Sequence, residues 1–94
     1  MTSIAKKVLI YLFLKSTDLR KEGHRLDLHT LEQIQKFTHE SKELTEPALR
    51  ELLLAGNVGI ATEKETEKCW YFIEFKGRQE AKALILGLTK HLDT

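Results

Sequence analysis

At Gly56 the hydrophobic period of this chain changes from that of a helix to that of a strand. Upstream, Ala48, Leu49, Leu52 and Leu53 recur at helical spacing, while Glu46, Arg50 and Glu51 face outward. Thr45 reads as the N-cap of this helix, Pro47 falls in its first turn where a missing amide costs nothing, and Leu44 and Leu49 are spaced as a hydrophobic staple. Downstream, Asn57 to Glu63 and Lys68 to Phe75 read as strands joined by a polar turn at Lys64 to Glu67. Cys69, Tyr71, Ile73 and Phe75 share one side of the second strand, and Trp70, Phe72 and Glu74 the other. A lone hairpin is not stable by itself, so these strands must pack on helices.

Three further helices and a short strand supply that support. Ser3 caps a first helix reaching to about Ser16, with Ile4, Val8, Leu9, Leu12 and Tyr11 on its inward stripe. Ile10, Phe13 and Leu14 fall outside the stripe, which predicts a helix buried on a second side as well. A second copy of the chain is the expected neighbour, with Ile10, Leu12, Phe13, Leu14 and Leu88 at the contact. Asp18 to His24 reads as a charged loop closed by Gly23, and Arg25 to Leu28 alternates as a half-buried strand. Thr30 and Gln33 then fit a capping box that starts a helix with Leu31, Ile34 and Phe37 inward. The last helix spans Gly77 to about Leu92 and turns Ala81, Leu84, Ile85, Leu88 and Leu92 inward. Gly87 inside it costs about 1 kcal/mol relative to alanine unless a close neighbour uses the space.

The 94 residues suffice for one modest core, so a single domain over 1–94 is expected. The longest apolar run, Val8 to Leu14, is far short of the roughly 20 residues of a membrane span. The N-terminus lacks the pattern of a secretory signal, and the single cysteine, Cys69, cannot form an internal disulfide; both point to the cytoplasm. His24, His29, His39 and His91 lack the spacing of a zinc site, and Cys69 among aromatic residues reads as a buried, inert thiol. Glu63, Glu65 and Glu67 read as a solvated edge that discourages sheet aggregation. No catalytic triad and no phosphate-cradling glycine loop is present, so neither an enzyme nor a bound cofactor is expected.

The order helix, strand, helix, helix, strand, strand, helix defines an α+β chain and resembles the winged-helix family of helix-turn-helix domains. Two stretches carry the resemblance. His29 to Phe37 (HTLEQIQKF) is similar to the first helix of the motif, and Leu44 to Val58 (LTEPALRELLLAGNV) to its recognition helix running into the wing. The turn between them, His39 to Leu44, is polar and longer than the tight glycine-bearing turn of simple helix-turn-helix proteins.

The resemblance implies duplex DNA as partner and a role in transcription regulation, with the third helix in the major groove and the hairpin against the backbone. It places Arg50 and Lys42 at the groove or its phosphates, Glu46 where it can accept from a cytosine amino group, and Lys64, Lys68 and Lys36 where cations can hold the backbone. Charge weighs against this. The chain carries 15 lysines and arginines against 14 acids, and within His29 to Gly56 Lys36, Lys42 and Arg50 face Glu32, Glu40, Glu43, Glu46 and Glu51. In the hairpin Lys64 and Lys68 face Glu63, Glu65, Glu67 and Glu74, so positive charge concentrates at the two ends of the chain. The alternative is a winged helix used as a protein-interaction or dimerisation module.

Overall fold

The computed structural model describes residues 1–16 and 28–92, with side chains up to Gly87. Its elements are α1 (Ser3–Ser16), α2 (Leu31–Thr38), α3 (Lys42–Leu54), β1 (Val58–Thr62), β2 (Cys69–Ile73) and α4 (Phe75–Leu92). The expected loop at Asp18 to His24 and residues 25–27 of the expected first strand lie outside the described residues.

The core runs along α1. Ala5, Val8, Leu9 and Leu12 are all buried, and the helix touches α2, α3, α4 and β2. Thr2 rather than Ser3 is its cap: the Thr2 hydroxyl accepts from the Ala5 amide at 3.2 Å. Leu12, expected at a contact between copies, is 1% exposed within the chain's own core, because it shares the face of Val8 and Leu9. Ile10 and Phe13 are half-buried and Leu14 is exposed.

In α2 the expected capping box is complete. The Gln33 amide donates to the Thr30 hydroxyl at 3.2 Å and the Thr30 amide to the Gln33 side-chain oxygen at 2.9 Å, a pairing of about 1 kcal/mol. Ile34 is buried and Leu31 half-buried, but Phe37 is 53% exposed rather than inward. Its ring instead stacks on Tyr11 at 5.2 Å along the flank of α1, with the Lys15 ammonium 4.8 Å from its centroid.

The turn into α3 is tighter than expected. His39 takes a left-handed conformation (φ 58°), and its amide closes α2 on the Gln35 carbonyl. Only His39 to Ser41 separate α2 from α3, so His39 stands where a simple helix-turn-helix has glycine. Ser41, not Thr45, is the N-cap position. Thr45 is buried in the second turn and donates to the Ser41 carbonyl at 2.7 Å, because the stripe of Ala48, Leu49 and Leu52 extends back through it. Pro47 consequently lies inside the helix, and Leu44 is exposed rather than stapled. At the other end the expectation holds: Gly56 has φ 78°, its amide reaches the Leu53 carbonyl, and the Asn57 amide reaches that of Leu52, as in a Schellman closure.

The strands are antiparallel, in register from Val58 opposite Ile73 to Thr62 opposite Cys69, and each is shorter than expected. His29 adds an isolated antiparallel bridge to Tyr71 on the other edge of β2, with amide–carbonyl bonds of 2.9 and 2.7 Å, while Leu28 is exposed and outside any strand. On the outer face Phe72 lies over Gly59, filling the space a side chain there would need, and Trp70 stands opposite Ala61. Phe75, expected on the second strand, opens α4 and is 75% exposed.

Helix α4 thus starts two residues before the expected Gly77. Ala81 is buried and Leu84 and Ile85 are half-buried, while the side chains of Leu88 and Leu92 lie outside the described residues. The two glycines of this helix contrast. A methyl group on Gly77 would collide with the Asn57 carbonyl, whereas one on Gly87 meets nothing within 4 Å. Alanine should therefore destabilise the fold at position 77 by about 1–3 kcal/mol and stabilise it at position 87 by about 0.5–1 kcal/mol. Urea melts of Gly77→Ala and Gly87→Ala check this, and shifts of the same sign would contradict it.

Candidate nucleic-acid interface

Burial of Thr45, Ala48, Leu49 and Leu52 fixes the rotation of α3 and turns Glu43, Pro47, Arg50 and Leu54 away from the core. Lys42, Glu46 and Arg50, four residues apart, run along the flank nearer the hairpin. There Glu46, Leu49, Arg50 and Leu53 line a shallow groove closed on its far side by Tyr71 of β2. Arg50 is exposed and takes part in no ion pair among the described residues. Lys42 and Glu46 pair at 3.7 Å, both exposed, in the orientation that helps a helix less. Glu51, expected outward, is half-buried, and its carboxylate accepts from the Thr2 amide at 3.1 and 3.4 Å.

The other expected site residues stand apart from this flank. Lys36 projects from α2 on the side away from buried Ile34. Lys64 is exposed at the wing tip between Glu63 and Glu65, and Glu63 there accepts from the Thr66 hydroxyl at 2.8 Å. The Lys68 ammonium rests 4.5 Å from the Trp70 centroid on the outer face of the hairpin, a cation–π contact of about 0.5–1 kcal/mol. Of the six residues, Lys42, Glu46 and Arg50 therefore share one helix flank, while Lys36, Lys64 and Lys68 lie on α2, at the wing tip and on the hairpin's outer face.

Tyr71 is the member of this site that sequence reasoning missed, since only the pairing of β2 with His29 and β1 brings it beside α3. Burial, then the negative charges of Cys69, Glu46 and Glu32, push its phenol above the ordinary tyrosine range. The phenol stays protonated at neutral pH, flanked by two glutamates of the motif. Leu54 was also missed. It is 85% exposed, and its position off the stripe of Leu49, Leu52 and Leu53 was already the signal.

His29 is buried, with its Nδ1 3.2 Å from the Tyr11 hydroxyl and the two rings edge to face at 5.3 Å. His39 is exposed. His24 and the side chain of His91 lie outside the described residues, among which no metal-binding cluster occurs. Cys69 is half-buried rather than enclosed, because it belongs to the last rung of the ladder, with its sulfur 3.9 Å from the Thr62 hydroxyl. Among the described residues no helix is long and apolar enough to cross a membrane.

A helix-turn-helix whose second helix runs directly into a two-stranded wing, with flanking helices behind it, is a winged helix. Among solved structures the chain is similar to the crystal structure of PefR in its heme-free apo form, with a TM-score of 0.74 and 17% sequence identity. The match covers 99% of this chain and 62% of the PefR chain, so the chain spans under two thirds of that protein's length. At that identity the likeness carries the fold alone. No protein-family model matches the chain. No curated protein matches it either.

The raised Tyr71 phenol sets an alkaline limit on stability. A tyrosine whose folded pKa is raised contributes stability in full below its unfolded pKa of about 10 and loses it as pH rises through the folded value. Thermal melts between about pH 8 and 11 should show a steeper alkaline decline in the parent chain than in Tyr71→Phe. Tyr11 is common to both proteins, so parallel declines would exclude Tyr71 as the source.

Proposed function

We propose that the chain binds duplex DNA through α3 and acts as a transcriptional regulator. The observation that carries this reading is Arg50, an exposed cation free of ion pairs among the described residues on the outward side of the second motif helix. The winged-helix arrangement, shared with PefR, supports it at the level of the fold. With α3 in the major groove, Arg50 can donate two parallel bonds to a guanine edge, and Glu46 can accept from a cytosine amino group. Lys42, in the first turn of α3, reaches toward a phosphate beside the helix N-terminus, where free amides already favour an anion. Lys36, Lys64 and Lys68 add backbone contacts on either side.

Acids set among these cations lower non-specific affinity without removing base readout. The chain should therefore neutralise few phosphates, giving a salt slope of about −2 to −4 in log affinity against log salt. Fluorescence anisotropy on duplexes of random sequence at about 50 mM salt measures this. Arg50→Glu should weaken binding by at least about tenfold, and Glu63→Lys with Glu65→Lys should strengthen it and steepen the slope. Failure of the parent chain to bind any duplex at that salt would overturn the reading.

A second reading, a protein-interaction module on the same fold, is favoured by one observation: Ile10, Ala83, Leu84 and Gly87 line an open groove between α1 and α4, beside Lys6 and Lys7.

A further inference from the structure

Helices α1 and α4 pack side by side and leave a groove of about 580 Å³ lined by Lys6, Lys7, Ile10, Ala83, Leu84 and Gly87. Its floor is apolar. Ala83 and Gly87 stand one turn apart, so successive turns of α4 offer almost no side chain, and a Cβ at Gly87 would meet nothing within 4 Å. No neighbour among the described residues uses the space that this glycine leaves. A shallow trough between two helices, with small residues along one wall, has the shape that admits the apolar face of a third helix.

Charge decides which kind of helix. Among the described residues no acid lines the groove, and Lys6 and Lys7 on its rim are both exposed, Lys7 sharing its ammonium with Glu40 at 3.1 Å. Among their described side chains, α1 and α4 carry Lys6, Lys7, Lys15, Lys76, Arg78 and Lys82 against one acid, Glu80. Of these cations Lys6 and Lys7 line the groove, and a second copy docked by this same face about a two-fold axis would set them against their own equivalents, an unfavourable juxtaposition. We propose that the groove binds an acidic amphipathic helix of a partner protein. Its apolar residues at i, i+3, i+4 and i+7 lie over Ile10, Ala83, Leu84 and Gly87, and its flanking carboxylates meet Lys6 and Lys7. The groove belongs to α1 and α4, so this binding does not depend on the DNA reading assigned to α3.

The probe is a labelled synthetic helix with leucines at that spacing flanked by glutamates, compared with one carrying lysines in place of the glutamates. Both are titrated against the full chain by anisotropy, and the chain alone is sedimented at micromolar concentration. The glutamate peptide should bind at least about tenfold more tightly than the lysine peptide and weaken as salt rises. Gly87→Leu, which fills the trough, and Lys6→Glu should each reduce its binding by about tenfold or more, while DNA affinity stays at the parent value. A urea melt of Gly87→Leu itself, with Gly87→Ala as the helix-propensity control, separates occlusion from misfolding. Absence of peptide binding, equal binding of the two peptides, or full binding by Gly87→Leu would overturn the proposal. So would a dimer that Gly87→Leu converts to monomer, which would assign the groove to a second copy.

Discussion

The buried stripe of α1 is the surface on which the rest of the molecule is assembled. Val8, Leu9 and Leu12, with Ala5 one turn earlier, meet Ile34 of α2, Leu49 and Leu52 of α3 and Ala81 of α4 in one core. Truncating a side chain of this kind typically costs 2–5 kcal/mol, a large part of the stability of so small a domain. Polar ties set the helix in place around this packing. The Thr2 amide meets the Glu51 carboxylate on α3, and Lys7 meets Glu40 in the turn between α2 and α3. The two motif helices are thus held by a helix that comes before them in sequence, and the angle at which α3 is presented depends on it.

A second junction fixes the wing to α3. The Asn57 amide satisfies the Leu52 carbonyl at the end of α3, and the Asn57 carbonyl accepts from the Glu74 amide at the end of the hairpin. Gly77 presses on that carbonyl, so the backbone of one residue joins the close of α3, the base of the wing and the start of α4. Lys76 adds a bond from its ammonium to the Ala55 carbonyl at 2.5 Å, placing a cation at the negative end of α3. The wing cannot swing far from α3 without breaking these contacts, and the groove closed by Tyr71 keeps its shape for the same reason.

The parts of this fold that were legible in the sequence are those set by local chemistry. The Thr30 and Gln33 capping box, the left-handed Gly56 and the period change beyond it each depend on residues close together in the chain. The start of α3 was misjudged for a physical reason: Thr45 followed by Pro47 has the composition of a helix start, yet burial of Thr45 against the core extends the helix back to Lys42. That extension shortened the turn, moved Pro47 inside and exposed Leu44. Phe37 and Leu12 show the same limit, since helical spacing gives a face but not which neighbour covers it. Arg50 and Glu46 were found because they oppose an evident stripe, whereas Tyr71 needed the long-range pairing of β2 with both β1 and His29. The separation of Lys36 and Lys68 from α3 follows from three-dimensional placement that no spacing rule encodes.

Electrostatics divides this winged helix differently from its architecture. The side that reads duplex in the proposed function carries Glu32, Glu43 and Glu46 close to its cations, and Lys42 is already engaged by one of them. Coulombic attraction to phosphate therefore contributes less than in a basic domain, and a larger share of any sequence preference falls on Arg50 and on the fit of α3 in the groove. Meanwhile Lys6 and Lys7 of α1 flank an apolar trough, where in the proposed binding a charged rim selects among partners and a smooth floor supplies contact area. The two surfaces share the α1 core but no site residue. A partner on one side and a nucleic acid on the other can then be held together, with the rigidity of that core setting the distance between them.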